Sequence, residues 1–265
     1  SVLDRCRAVG GDPGHALFTN LRDGDWLMQY TVERLDHDSA LRKWLAELVA
    51  AIGALPRNLV PRAFARLCFA VRDAASARAM SLMSPFVRDA RDPFVHRLAH
   101  GSLQMHGRVG LMAAGLPHFS SGYMRTWGRD TFISLRGLLL LTGRFDEARE
   151  HLLMFASCVR HGLVPNLLDN GNRPRYNARD ATWFWLDALR HYTRSAPEGT
   201  AVLQRTVTRR FSDTGAPAGD VVPLADVVFD IMQRHAAGIH FREWRAGPEI
   251  DAHMSDQGFQ IDIAL

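Results

Sequence analysis

Trp127-Gly128-Arg129-Asp130-Thr131-Phe132-Ile133-Ser134-Leu135-Arg136-Gly137-Leu138-Leu139-Leu140-Leu141-Thr142-Gly143 is the stretch on which the fold turns. Asp130 to Thr142 reads as a helix and Gly143 as its stop, because glycine takes the left-handed backbone on which many helices end. The stretch from Ala114 to Asp130 is loop by its glycine and proline content, yet it carries Trp, Tyr, His, Arg and Asp where a plain connector carries Ser and Lys. A loop rich in functional side chains therefore feeds directly into a helix.

The helical period continues on both sides. Asp146 to His161 places Ala148, Leu152, Phe155 and Val159 on one face, with Gly162 at its end. Asp180 to Thr193 and Leu224 to Ala237 follow. On the N-terminal side, Leu41, Trp44, Leu45, Leu48, Val49 and Ile52 share a face, with Ser39 placed to cap and Gly53 and Pro56 to close. Arg62 to Met83 is a further helix, ending before Pro85. Strict alternation is rare, and 165–174 and 195–223 read as loops. The result is a mainly α chain of helices joined by glycine-marked connections. Such αα-hairpins close into a bundle, a superhelix or an α/α toroid, and periodicity does not choose among them. Weak periodicity and small residues around Gly101 to Gly110 mark a boundary between a smaller, mostly helical segment (1–110) and a second domain (111–265).

Composition narrows the function classes. The 265 residues are 47% hydrophobic, enough for a buried core. The net charge of +4 is carried almost wholly by arginines, with Lys43 the only lysine. These arginines are interspersed with acids and apolar residues, the pattern of a mixed solvated surface and not of a nucleic-acid face. Cys6, Cys68 and Cys158 have neither zinc-ligand nor redox spacing, and Cys158 fits a small core residue. His96 and His100 share helical spacing without a third ligand. No metal or cofactor is expected. Without a sequon, a signal-type start or a membrane-spanning apolar run, the expectation is a cytoplasmic protein with no membrane partner. Ser1 at the start and the apolar Ile263-Ala264-Leu265 at the end read as cuts in a longer chain.

Two loop-to-helix junctions carry the candidate chemistry. Trp127, Arg129 and Asp130 form the first, and Asn177, Arg179 and Asp180, followed by Trp183 and Trp185, form the second. Each aspartate has two readings. One is a helix cap, favoured by the dipole, beside a buried indole. The other is a sugar site, where a carboxylate accepts two hydroxyl hydrogen bonds, arginine fixes it bidentately and indole covers a pyranose face. In a toroid both junctions open at one rim and converge on one pocket. A third segment, from His240 through Glu243, Glu249 and Asp251 to Asp256, holds several carboxylates, the groups that glycoside hydrolysis uses, although charged loop residues at a helix end explain it as well.

From Ala114 to Gly137 the sequence resembles the glucosidase region of eukaryote-type glycogen debranching enzymes. The likeness runs on through Thr142 to Arg149, Arg160 to Leu167, Tyr176 to Trp185 and Arg242 to Phe259. Gly24-Asp25-Trp26 and Ile52 to Pro61 resemble, less tightly, the segment before that region. The resemblance implies a glucoamylase-like (α/α)6 toroid and amylo-α-1,6-glucosidase activity on glycogen or limit dextrin. It also implies a 4-α-glucanotransferase module elsewhere in the parent protein. Trp127, Arg129 and Asp130 resemble the step that binds a terminal glucose, and Asn177, Arg179 and Asp180 the next loop of that subsite. The implied mechanism is inverting, with its acid and base both expected beyond Leu265, so no residue here is assigned either role and this stretch alone is expected to release no glucose. The competing class is a non-catalytic glucan-binding fragment. Other toroid enzymes, such as terpene or lanthionine-forming cyclases, need an Asp-rich or Cys/His metal set that the sequence lacks.

Overall fold

A computed structural model of the chain describes residues 18, 21, 24–35, 37–103, 105, 126–169, 173–214, 216–239 and 241. These residues are mostly helical, so the chain is mainly α. Two compact units divide between Ala79 and Met80.

In the first unit Trp26–Glu33 (α1) packs against Ala40–Gly53 (α2), and Val60–Ser81 (α3) begins beside them. Ser39 caps α2 as its sequence indicates, its hydroxyl accepting from the Arg42 N–H at 3.2 Å. The core is small: Leu21, Met28, Val60 and Phe64 are buried, with Val49 and Ile52 of α2 against them. The outer part of the predicted α2 face, Leu41 and Trp44, is exposed within this unit.

The second unit contains Pro85–Arg88 (α4), Pro93–Leu103 (α5), Gly128–Leu135 (α6), Phe145–Ala156 (α7), Asp180–Ser195 (α8) and Leu224–Ala237 (α9). Its core is one continuous cluster in which α6, α7, α8 and α9 meet. The four residues read as the inward face of α7, Ala148, Leu152, Phe155 and Val159, are all fully buried, as is Cys158. Trp185 of α8 is also fully buried and donates from its indole to the Leu152 carbonyl at 3.1 Å, so its one polar atom is satisfied. Trp183, two positions earlier, points to the other side and is 46% exposed. The two indoles thus lie on different faces of α8.

Three local features depart from the periodic reading. The helix that opens at Gly128 changes at Arg136 to a π-turn running to Leu140, with Leu141 N–H bonded back to the Arg136 carbonyl. The extra residue per turn keeps both Leu139 and Leu140 buried. Next, α7 stops at Ala156 and not near His161. Arg160 and Leu163 exchange both backbone hydrogen bonds across His161 (φ 50°) and Gly162 (φ 74°), a two-residue hairpin turn with left-handed backbone at both central positions. Last, the two stretches read as loops contain short strands. Leu167–Asp169 (β1) pairs antiparallel with Arg173–Arg175 (β2), and Thr206–Thr208 (β3) pairs antiparallel with Val221–Pro223 (β4). Strands of three residues are too short to show alternation in a sequence.

No helix among the described residues is long and apolar enough to cross a membrane.

Candidate functional site

The two Arg-Asp junctions lie side by side because α6 and α8 pack against one another. Trp127 is the residue before α6, in extended conformation, and Arg129 and Asp130 occupy its first turn. Arg179 precedes α8, and Asp180 is its first residue. Neither aspartate stands at the capping position.

Arg129 does not pair with its chain neighbour. It reaches across to Asp180 with two parallel bonds, Nη2 to Oδ1 and Nε to Oδ2, both 2.8 Å. This bidentate fork ties the two helix starts together with a fixed geometry. Both side chains are nearly half exposed, so the pair contributes at most about 1 kcal/mol to stability, and its main effect is orientation. The Asp130 carboxylate is exposed and, among the described residues, has no hydrogen-bond or ion-pair partner. Its charge sits at the N-terminal end of α6, where the helix dipole favours it by about 0.3–1 kcal/mol. An unengaged carboxylate beside a half-buried indole is equipped to accept hydroxyl hydrogen bonds.

The corner is held from behind by the segment that follows the His161-Gly162 turn. Gly128 N–H donates to the Asn166 carbonyl at 2.7 Å, and Leu168 N–H donates to the Thr126 carbonyl at 3.0 Å. Trp127 bridges to Leu167. Asn166 Oδ1 accepts from Arg129 N–H at 3.3 Å, and its Nδ2 donates to Asn177 Oδ1 at 3.2 Å. Asn177 is exposed and so joins the first junction through Asn166. Asn166 carries no sequence signal of this role beyond its place directly after Pro165 in the Arg160 to Leu167 stretch. Arg179 is half buried and turned toward α9. Burial lowers its guanidinium from the ordinary value, and its charge adds to the burial that lowers the nearby His235 imidazole.

A second network fixes the supporting turn. His161 stacks on Phe241 with ring centres 4.2 Å apart, and its backbone N–H donates to Asp213 at 2.9 Å. Asp213 also pairs with Arg234 at 2.8 Å. Burial works against ionisation of Asp213, but the His161 N–H and the Arg234 guanidinium outweigh it and hold the carboxyl below its usual range. Burial pushes the His161 imidazole down, and Asp213 offsets only part of this. Both His161 and His235 are therefore harder to protonate in the folded chain than in the unfolded chain, whose histidines titrate at about 6.5. Their contribution to stability is complete above that value and is lost as pH falls through it toward the lower folded values. Asparagine tolerates left-handed backbone, so His161→Asn keeps the turn. The melting temperature of the parent chain is expected to fall between pH 7.5 and 5.5, and His161→Asn to remove roughly half of that slope. An unchanged slope would show that His161 does not carry it.

His96 Nε2 bonds to the Val87 carbonyl at 2.9 Å, which gives that ring a structural partner. Ala114 to Arg125, and the third carboxylate segment apart from Phe241, lie outside the described residues. In the first unit a groove of about 470 Å³ lies along α1 and α2, lined in part by Asp25, Met28, Gln29 and Arg42, and contains none of the candidate residues.

A family model described as amylo-alpha-1,6-glucosidase matches residues 90–263. The chain belongs to the amylo-alpha-1,6-glucosidase family. The matched span contains both Arg-Asp junctions and the Asn166 segment that joins them, so the candidate site lies wholly within the amylo-alpha-1,6-glucosidase match. The chain is also similar to a glycogen debranching enzyme of Saccharomyces cerevisiae, at 44% identity over 277 residues. That likeness covers 95% of this chain and 18% of the relative, so the chain spans less than a fifth of the relative's length.

Proposed function

We propose that the Trp127–Asp130 corner and the Asn177–Asp180 loop form the terminal-glucose subsite of an amylo-α-1,6-glucosidase. The parent protein would be a glycogen debranching enzyme acting on glycogen or limit dextrin, with a 4-α-glucanotransferase activity elsewhere in its chain. The helices of the second unit are taken as part of an (α/α)6 toroid whose rim carries these loops. Trp127 covers one face of the sugar, Asp130 accepts from two of its hydroxyls, and the Arg129–Asp180 fork keeps the rim in register. Asn177 and Arg179 complete the polar lining. The acid and base of an inverting hydrolysis are other residues of the parent protein. One observation carries this reading: the fork crosses from Arg129 to Asp180 and leaves the adjacent Asp130 carboxylate exposed and unengaged.

The test is an assay of the full-length protein on a linear maltooligosaccharide bearing a single α-1,6-linked glucose. Free glucose is expected, and it should appear first as the β-anomer, because a single displacement inverts the anomeric carbon. No glucose release, with the glucan merely bound, would make this a glucan-binding protein. The α-anomer appearing first would overturn the inverting mechanism.

A further inference from the structure

We propose that Asn166 is a positioning residue for the glucose subsite, one that sets which end of the Asn177 amide faces the sugar. The inference rests on the subsite reading above. Asn166 is 7% exposed, and its four polar groups are divided among three segments. Its backbone N–H donates to the Arg175 carbonyl at 2.8 Å, and its backbone carbonyl accepts from Gly128 N–H at 2.7 Å. Its side chain accepts from Arg129 N–H and donates to Asn177 Oδ1. One buried residue therefore connects the α6 corner, the β2 strand and the Asn177 loop. A buried amide of this kind is held in one orientation, because turning it over would set donor against donor at Arg129.

The consequence falls on Asn177. Its side chain is exposed and, without a partner, would present either end of its amide outward. The Asn166 Nδ2 donor occupies Asn177 Oδ1, so the Asn177 NH2 group is the end left facing out. The subsite then offers an acceptor, the Asp130 carboxylate, and a donor, the Asn177 amide, on the two junctions that the Arg129–Asp180 fork holds together. A sugar hydroxyl both donates and accepts, and an acceptor–donor pair of fixed polarity discriminates among hydroxyl arrangements better than two acceptors do.

Asn166→Asp tests this with little change in shape. The new carboxylate still accepts from Arg129 N–H but has no donor for Asn177, so the Asn177 amide turns over and its oxygen faces the sugar. In the full-length protein, Asn166→Asp is expected to lower kcat/KM for the branched oligosaccharide about thirtyfold, more than one neutral hydrogen bond and less than a full misplacement of the sugar. Affinity for the iminosugar deoxynojirimycin should weaken by a similar factor, while the melting temperature holds. Combined with Asn177→Ala, Asn166→Asp should cost almost nothing further, because both act through the same amide. A purely structural role would reduce the active fraction, leave the iminosugar affinity of that fraction unchanged and give additive losses. An iminosugar affinity for Asn166→Asp within about threefold of the parent protein, or losses that add, overturns the inference. Should Asn166→Asp fail to fold, Asn177→Ala at its exposed position must itself weaken the iminosugar about tenfold, the worth of one lost hydrogen bond, and parent-level binding there overturns the inference. A parent protein that neither releases glucose nor binds the iminosugar defeats the subsite reading, and this inference falls with it. A parent protein that does both, with indifferent variants, defeats this inference alone.

Discussion

Asp130→Asn in the full-length protein is expected to lower kcat/KM for glucose release by two to four orders of magnitude. The carboxylate is exposed in the first turn of α6 and engages no described residue. Its removal therefore leaves the fold intact and acts on the ligand. A hydrogen bond to a charged group contributes about 1.5–3 kcal/mol, and two hydroxyls are within the capacity of one carboxylate. At about 1.4 kcal/mol per decade, two lost charged bonds give roughly two to four decades. The loss of favourable charge at the helix start costs at most about 1 kcal/mol of stability and does not register in kcat/KM. A decrease under about threefold would mean that Asp130 does not touch the sugar and serves only the helix.

Gly128→Ala is expected to damage the same corner through packing. A Cβ at this position would lie 2.4 Å from the Pro165 carbonyl oxygen and 3.1 Å from Phe155 Cε1. Neither neighbour yields easily. Phe155 is fully buried and set edge-on to Phe132 at 4.8 Å. Pro165 lies between the Arg160–Leu163 hairpin and Asn166, whose N–H is tied to Arg175. Relief requires the Trp127–Asp130 corner to lift away from Asn166, which breaks the 2.7 Å bond from Gly128 N–H. Overpacking against backbone of this kind costs about 3 kcal/mol. For a domain of this size that corresponds to a fall of roughly 6–12 °C in melting temperature. The displaced corner should also lower kcat/KM about a hundredfold, since small errors in position are costly in a subsite. Gly137 makes the contrast: a Cβ there meets nothing within 4 Å, so Gly137→Ala should be neutral or slightly stabilising. Equal melting temperatures for the two variants would show that the corner is looser than the structure indicates.

Much of this fold is legible in the sequence because the helices announce themselves by period and punctuation. Leu224–Ala237 begins and ends where its apolar spacing places it, and Ser39 caps the helix that it precedes. Asp180–Ser195 runs only two residues past its expected end. What the period cannot show is a change of period, and the π-turn at Arg136–Leu140 is one. Nor does it show the Arg160–Leu163 hairpin, whose left-handed central residues are His161 and Gly162. Histidine is no turn signal in a sequence, and here Asp213 from a distant loop secures it.

The site was legible in its parts and not in its wiring. Two Arg-Asp steps with indole nearby stand out in one dimension, and α6 and α8 do bring them together. Adjacency in sequence suggests that each arginine serves its own aspartate. The structure instead pairs Arg129 with Asp180, 51 residues away, and this crossing is what leaves Asp130 unengaged. Only the packing of α6 on α8 creates that option. Asn166 was invisible for the same reason, since all four of its bonds run to residues that are neighbours only once the chain has folded.

The most direct measurement is a crystal structure of the full-length protein with deoxynojirimycin bound. The ring is expected to lie against the Trp127 indole with two of its hydroxyls donating to the Asp130 carboxylate, while Arg129 stays locked on Asp180. An inhibitor seated elsewhere, with Asp130 still in contact with solvent alone, would contradict the assignment of this corner as the glucose site.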